Sequence, residues 1–563
     1  MNLRLGIQTA YSLLYGTHRP EVMVERAAHY GIEALAIIDR NNLYGLHEFL
    51  EACKDRNIRP IIGCELSSSA GSVTAFVINR QGFSQLCEIL TALASHRATG
   101  SEVTPEQLGS ILTQRDLPGL ALASPEPFWL EYLTGTVPLL YAACGPGNVS
   151  TITYARRLKI PLLALQHSCF LTAQDYPVHR VLRAIGTNKT LGTLSPDDCI
   201  DEGTLTDHIL MDERAYNRFY RSWPEAHRSA EDLVQKVQCT DPFDGYIFPV
   251  YKTRNTKRPE ELLRQLVVTG AEQRYGELSD AILERIDYEL DIINKKGFAS
   301  YFLFMHDIVS LANRTCGRGS GAASIVSYSL GITNVDPIAH RLYFERFLNL
   351  SRLDPPDIDV DFPWDERDAL IQQVIAKFGR DYCARVANHN RFRFRSALRE
   401  TAKVYGYSEV EISALERQLQ KGDIQLNALS GTQGSEWTQV AHMAQRLEGL
   451  PRGLSMHCGG LVITPEPICH YAPIEVSAEG FPLLTWEKEG TEAAGLVKLD
   501  LLGNRSLSVI RDALANLEAE GIVIDFLRTD PTHDQATIAA LAQGDTLGVF
   551  YIESPAMRQL QKK

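Results

Sequence analysis

Apolar and polar positions alternate in blocks along the first part of the chain, where "EVMVERAAHYG", "EALAIID", "LHEFLEACKDRN" and "RPIIGCEL" follow one another. Apolar residues three or four apart predict amphipathic helices, and short unbroken apolar runs predict strands. The rhythm is that of β–α units, with Gly31 and Asn57 where the helices should stop. Around residues 240–260, "TDPFDGYIFPVYKTRNTKRPEE" places Pro242, Pro249 and Pro259 among turn formers, so a domain boundary is expected there. Helical stretches follow in "ELLRQLVVTGAEQRYG" and "AILERIDYELDIINKKG", and then "YFLFMHDIVSLANRT" runs into "CGRGSGAASIVSYSLGI". From about residue 395 to 455 the period is again helical. Two apolar strands, "GGLVIT" and "AGLVKLDLLG", then return.

One stretch breaks the ordinary pattern. In "DPPDIDVDF" the acids Asp357, Asp359 and Asp361 occupy every second position, with Ile358, Val360 and Phe362 between them. Side chains of a strand alternate faces, so the carboxylates share one face, roughly 6 to 7 Å apart. At an effective dielectric of about 20 each neighbouring pair repels by about 2 to 3 kcal/mol unless water or a cation intervenes. Such a strand faces solvent or holds metal. In "AGLVKLDLLG", Lys498 and Asp500 share a face between Val497, Leu499 and Leu501. Charges in so apolar a run are paired with each other or serve a bound cation. Joined to Asp359 and Asp361, Asp500 would complete a three-carboxylate cluster of the kind that holds two divalent cations for phosphoryl displacement. Magnesium prefers such hard oxygen ligands.

"GRGSGAAS", residues 317–324, concentrates glycine before the helical run "SIVSYSL". It reads as a tight turn or as an anion-binding nest backed by a helix N-terminus. The GK[ST] ending of a Walker A loop is missing. Between Arg385 and Lys403, "RVANHNRFRFRSALRETAK" sets six cations against Glu400 alone, with Phe392 and Phe394 interleaved. That run is either a solvated helix face or a phosphate-binding surface.

Length and composition add bounds. A chain of 563 residues is long enough for several domains, and its net charge of −13 argues against uniform coating of nucleic acid while leaving local patches open. The 11 cysteines never adopt C-x-x-C spacing, which predicts reduced, mostly buried thiols. Neither a membrane-spanning run nor a signal-peptide pattern is visible, and a cytoplasmic protein is expected.

With these residues assembled, the chain resembles the bacterial C-family DNA polymerases, the alpha subunits of DNA polymerase III. The motifs "GRGSGAAS", "GITNVDPIAHRLYFERFLN", "PPDIDVDF", "HCGGLVITP" and "GLVKLDLLGNRSL" occur in the family's order at similar spacing. The resemblance covers essentially the whole chain; "DPPDIDVDF" and "RFRFRSALRE" look closer to the error-prone translesion branch. It implies an α/β multidomain protein: an N-terminal PHP-type distorted (β/α) barrel, then a polymerase-beta-like nucleotidyltransferase palm with an inserted helical thumb. The expected boundaries are 1–245 for the PHP-like domain, 246–392 and 456–507 for the palm, 393–455 for the thumb and 508–563 for the start of the fingers.

The resemblance further implies DNA-directed DNA polymerization in replication or error-prone repair, with two Mg2+ ions on Asp359, Asp361 and Asp500. Asp357 would support them. Arg318, Gly319, Ser320 and Lys498 fall where the family holds the triphosphate of a dNTP. Arg391, Arg393, Arg395 and Arg399 fall where contact with primer–template DNA is expected. A sliding clamp and other replication or repair proteins are the partners implied for a full-length form. In the PHP-like region the family's metal-binding histidines are replaced by Gly6, Gln8 and Arg40, and Cys169 stands where another is usual. Asp39, Glu65 and His179 are remnants, so a structural relic that braces the palm is expected. The sequence stops where the fingers begin. Two rival readings follow, a catalytically silent fragment that binds DNA or partners and a PHP phosphoesterase.

Overall fold

The computed structural model describes residues 1–97, 102–253, 257–351, 355–356, 358–421, 436–524, 533–549 and 551–563. Asp357, expected to support the metal ligands, lies outside the described residues. The chain divides into two compact units, the first comprising 1–247, 381–457 and 466–496 and the second 248–380, 458–465 and 497–563.

The first unit is built on seven strands: β1 (Leu3–Ile7), β2 (Ala34–Ile37), β3 (Arg59–Ser68), β4 (Gly71–Val77), β5 (Leu120–Ser124), β6 (Leu140–Cys144) and β7 (Leu162–Ala164). They lie side by side in chain order. Every neighbouring pair is parallel except the two that β4 makes with β3 and β5. Past β7, Ser168 bridges back to Ile7, with Gln8 N donating to Ser168 O at 2.8 Å and Ser168 N to Gly6 O at 2.8 Å. The sheet therefore bends round onto its first strand, as a distorted barrel requires. Helices Pro20–His29 and Leu46–Asp55 follow the first two strands, and the expected stops Gly31 and Asn57 both adopt left-handed backbone at φ 65° and 54°. Strands read as short apolar runs because both faces are covered, the residues Leu35, Ala75 and Leu122 on one face and Ala36, Ile61 and Phe76 on the other being fully buried.

The second unit contains β8 (Cys316–Arg318) and β9 (Asp359–Pro363). The chain then supplies β10 (Cys383–Arg391) to the first unit, and β11 (Pro451–Ile463) begins in the first unit and ends in the second. β12 (Ile474–Val476) and β13 (Pro482–Leu484) pair antiparallel in the first unit, where β13 also pairs parallel with β10. β14 (Lys498–Asn504) completes the second unit's strand order β11–β14–β9–β8. β14 is parallel to β9 and antiparallel to the end of β11, and β8 is antiparallel to β9. Val360, Leu461, Leu499 and Leu501 are buried on one face of these strands. The period of two sends the charged residues to the other.

In the first unit, helix Phe394–Val404 packs with Glu436–Leu447 and with Tyr176–Thr187 around Leu398, Ala402, Val440, Ala444, Leu447 and Val181. Phe392, expected to interleave with phosphate-binding arginines, is instead a core residue of this cluster. Among the described residues no disulfide forms and seven cysteines are buried, and no helix is long and apolar enough to cross a membrane.

Candidate active site

The pairing register brings the three distant carboxylates to one face. Asp500 lies opposite Asp359, and Leu502 lies opposite Asp361, so the acids come from adjacent strands although about 140 residues separate them in sequence. Arg318, on the other side of β9, is also opposite Asp359. Its guanidinium spans both aspartates, with Nη1 3.5 Å from Asp359 Oδ2 and Nε 3.3 Å from Asp361 Oδ1. Lys498 Nζ donates to Asp500 Oδ2 at 2.6 Å. The mutual Lys498–Asp500 ion pair that the sequence left open is therefore present, and the lysine is only 9% exposed.

Each carboxylate thus carries a protein cation in this arrangement, and no group of three His, Cys, Asp or Glu side chains is poised as a metal cage among the described residues. Two features nevertheless fit a hard divalent cation. All candidate donors are carboxylate oxygens. In addition, Asp500 Oδ1 is buried and makes no hydrogen bond among the described residues, a costly state for a charged oxygen.

The glycine-rich loop follows β8 directly. Gly319 has φ 70°, which a side chain rarely tolerates, and a Cβ on Gly317 would sit 2.3 Å from Ile332 O. These glycines allow the chain to turn tightly against its neighbour. Residues 319–323 form one short 3-10 turn, and helix Ile325–Ser329 begins after Ser324, whose Oγ caps Ser327 N at 3.1 Å. The expected positive helix end behind the loop is not open to phosphate. The fully buried carboxylate of Glu289 already accepts from Ser324 Oγ at 2.7 Å, Ile325 N at 3.1 Å and Val326 N at 3.2 Å, and pairs with Arg285 Nε at 2.7 Å. An internal anion satisfies the orphan amides that a nest would offer. Of the expected triphosphate residues, Arg318 is half-exposed, Gly319 and Ser320 reach the surface, and Lys498 is engaged with Asp500.

Within the basic segment, Arg391 departs from the expected surface contact with DNA. Arg391 ends β10, and its Nη2 donates to Glu48 Oε1 at 2.7 Å and to the Tyr11 hydroxyl at 3.1 Å, with Glu487 at 3.5 Å. It is an internal counterion. Arg395 pairs with Glu416, Arg399 with Glu409 and Glu416, and Lys403 with Glu409. Glu409 and the cations lie at the surface, where such pairs are worth little and exchange partners, whereas Glu416 is only 13% exposed. Arg393 is exposed, and among the described residues its side chain has no ion-pair partner.

In the PHP-like region the remnants are occupied by protein partners. Asp39 accepts from Thr9 N at 2.6 Å, Thr9 Oγ1 at 2.7 Å and Ser12 Oγ at 2.7 Å. Gln8 Nε2 donates to Glu65, with Arg40 and His167 3.6 Å from the same carboxylate. His179 Nδ1 lies 2.8 Å from Tyr15 O, and its Nε2 accepts from Ile200 N at 3.3 Å. Burial pushes the Asp39 carboxyl up to about 6 against its hydrogen bonds from Thr9 and Ser12, and pushes the His179 imidazole down to about 4 against its bond to Tyr15.

These two groups act oppositely on stability. Between pH 6.5 and 4 the unfolded chain protonates His179 and the folded chain does not, so stability is lost as pH falls through that window. Between pH 6 and 3.8 the folded chain protonates Asp39 and the unfolded chain does not, so stability is gained as pH falls and lost again as pH rises through 6. At 1.36 kcal/mol per unit the two terms nearly cancel at pH 4.5, each being about 2 to 3 kcal/mol. Asp39→Asn is expected to uncover an extra acid-side loss of about 2 kcal/mol between pH 8 and 4.5, read as a steeper drop in urea midpoint than wild type shows. Equal drops would refute the shifts.

Three participants are not among the residues that the sequence motifs single out. Glu289 stands at a core position of its helix, in step with Ile282, Ile286 and Ile293, and that misplaced charge was the available signal. Asn504, between a strand and a helix, is a recognisable N-cap; its bond to Asp361 is not legible locally. For His167 no sequence signal marked it.

Family descriptions match in chain order: the PHP domain over residues 5–124, the bacterial DNA polymerase III alpha NTPase domain over 261–503 and the bacterial DNA polymerase III alpha subunit finger domain over 506–563. The error-prone DNA polymerase of Symbiobacterium thermophilum is 30% identical, the alignment covering 100% of this chain and 56% of that protein. The DNA polymerase III subunit alpha of Bacillus subtilis is 29% identical, with 100% and 53% covered. The error-prone DNA polymerase of Mycobacterium bovis is 32% identical, with 98% and 54% covered. The chain spans about half the length of the curated relatives it matches. Matched domain by domain in the same order, and along its full length by relatives of both names, the chain belongs to the family of bacterial DNA polymerase III alpha subunits.

Proposed function

We propose that the chain is the palm-bearing part of a DNA-directed DNA polymerase that transfers nucleotides from dNTPs to a primer 3′-hydroxyl in replication or error-prone repair synthesis. One observation carries the reading: Asp359, Asp361 and Asp500 share one face of two adjacent strands, with Asp500 Oδ1 buried and unpartnered among the described residues. Family membership supports it, because the relatives are named for this activity. Two Mg2+ ions on these carboxylates would stabilise the attacking and leaving oxygens of the displacement. Arg318, half-exposed beside Gly319 and Ser320, is suited to move from the aspartates to an incoming triphosphate, whose charge it matches bidentately. Lys498 holds Asp500 in place and adds positive charge beside it.

In this reading residues 1–245 form the PHP-like part, 246–392 and 456–507 the palm, 393–455 the thumb and 508–563 the start of the fingers. Primer–template DNA is the substrate, approached by Arg393 and, after exchange of their surface partners, by Arg395 and Arg399. Cytoplasmic action and contacts of a longer form with a sliding clamp and other replication or repair proteins belong to the same proposal. A second reading, a module that binds DNA or partners without chemistry, is favoured by the cations already paired to all three carboxylates.

Primer extension with Mg2+ separates the two. The polymerase reading expects nucleotide addition that is lost in both Asp359→Asn and Asp500→Asn, with primer–template binding retained. Extension unaffected by either change would overturn the assignment of these residues, and binding without extension in the wild-type chain would favour the silent module.

A further inference from the structure

Asp361 is held from two sides by groups of different character. Arg318 approaches Oδ1, and Asn504 Nδ2 donates to Oδ2 at 2.8 Å. Asn504 is the last residue of β14 and the N-cap of helix Arg505–Ala519, where its own Oδ1 accepts from Ser506 N at 2.8 Å. Both ends of one planar amide are therefore engaged. Because the cap fixes the oxygen, the nitrogen is directed at the aspartate, and its orientation follows from the network rather than from choice of rotamer. The amide is neutral. Unlike Arg318 it places no positive charge against an incoming cation, so it can orient the carboxylate while leaving its charge available. Asp361 is itself largely buried, which leaves few other groups to set its angle.

We infer that Asn504 is a positioning residue that sets the orientation of Asp361 for a divalent cation, an inference that rests on the metal reading above. The same side chain ties that carboxylate to the start of helix Arg505–Ala519, so a shift of the helix end would turn the ligand.

The test is Mn2+ titration of the whole chain, followed by loss of the free-ion electron paramagnetic resonance signal, for wild type, Asp361→Asn and Asn504→Ser. Serine still caps a helix but is too short to reach the aspartate, so capping and positioning are separated. The expected result is a site that Asp361→Asn abolishes and that Asn504→Ser weakens by about tenfold, the usual cost of removing an outer hydrogen bond to a ligand, with an unchanged melting temperature. Equal Mn2+ affinity in wild type and Asn504→Ser, where Asp361→Asn still abolishes binding, would overturn the positioning role alone. A wild-type chain whose Mn2+ binding ignores Asp361→Asn would overturn the metal reading and this role together. Weakened binding accompanied by a lowered melting temperature would make Asn504 a structural cap and likewise overturn the inference.

Discussion

Replacing Glu289 with alanine is expected to cost the second unit about 3 to 5 kcal/mol, the penalty for breaking a buried charge pair from one side. Its carboxylate is fully buried and holds four donors: Arg285, the Ser324 hydroxyl and the amides of Ile325 and Val326. Alanine would leave both amides without acceptors at positions that are themselves fully buried. Arg285 retains bonds to Ala323 O at 3.2 Å and Leu342 O at 3.1 Å, so its loss is partial. Glu289→Gln keeps the shape and an acceptor oxygen and is expected to recover at least half of the loss. Denaturant unfolding of the three proteins reads both effects. A change below about 1 kcal/mol in Glu289→Ala would mean that water satisfies the helix start, and would reopen that end to phosphate.

Arg391→Ala is the second large effect, and it decides what the basic segment does. Arg391 and its acids Glu48 and Glu487 are each less than a third exposed, so removing the cation leaves two poorly solvated carboxylates with weaker partners, Arg19 at 3.7 Å and the Tyr11 hydroxyl for Glu48 and His389 at 4.0 Å for Glu487. A loss of about 2 to 4 kcal/mol is expected, at the lower end of the buried-pair range because water still reaches the site. The slope of log affinity for primer–template against log salt should not change, since the Arg391 guanidinium is engaged by Glu48, Glu487 and the Tyr11 hydroxyl. Arg393→Ala should do the reverse, leaving stability alone and flattening that slope by about 0.9. Measuring urea midpoints and salt titrations for both variants tests the division. A flattened slope in Arg391→Ala with unchanged stability would restore it as a DNA contact.

Much of the site was legible before any coordinates. Alternation in "DPPDIDVDF" sets Asp359 and Asp361 on a common face because a strand has a period of two, and the same period sets Lys498 and Asp500 together. The helix stops at Gly31 and Asn57 were readable because left-handed backbone favours those residue types. A run of arginines, by contrast, states charge without stating partners. Arg391 meets Glu48, 343 positions earlier, only because the fold of the first unit brings the end of β10 within reach of that side chain on the helix Leu46–Asp55. Likewise the glycine loop and the helix after it promised an anion site by local geometry, and the tertiary fold filled that helix end with Glu289 from a different helix.

Sequence alone thus determined the faces and spacings of the carboxylates, the order of strands and helices, and the stops between them, since these follow from local periodicity and backbone preference. Tertiary structure decided which charges neutralise one another: Arg318 on Asp359 and Asp361, Lys498 and not a neighbouring carboxylate on Asp500 Oδ2, Asn504 on Asp361 and Glu48 on Arg391. Pairing energy depends on distances of a few ångströms between residues brought together by sheet register and burial, and no local pattern specifies those distances.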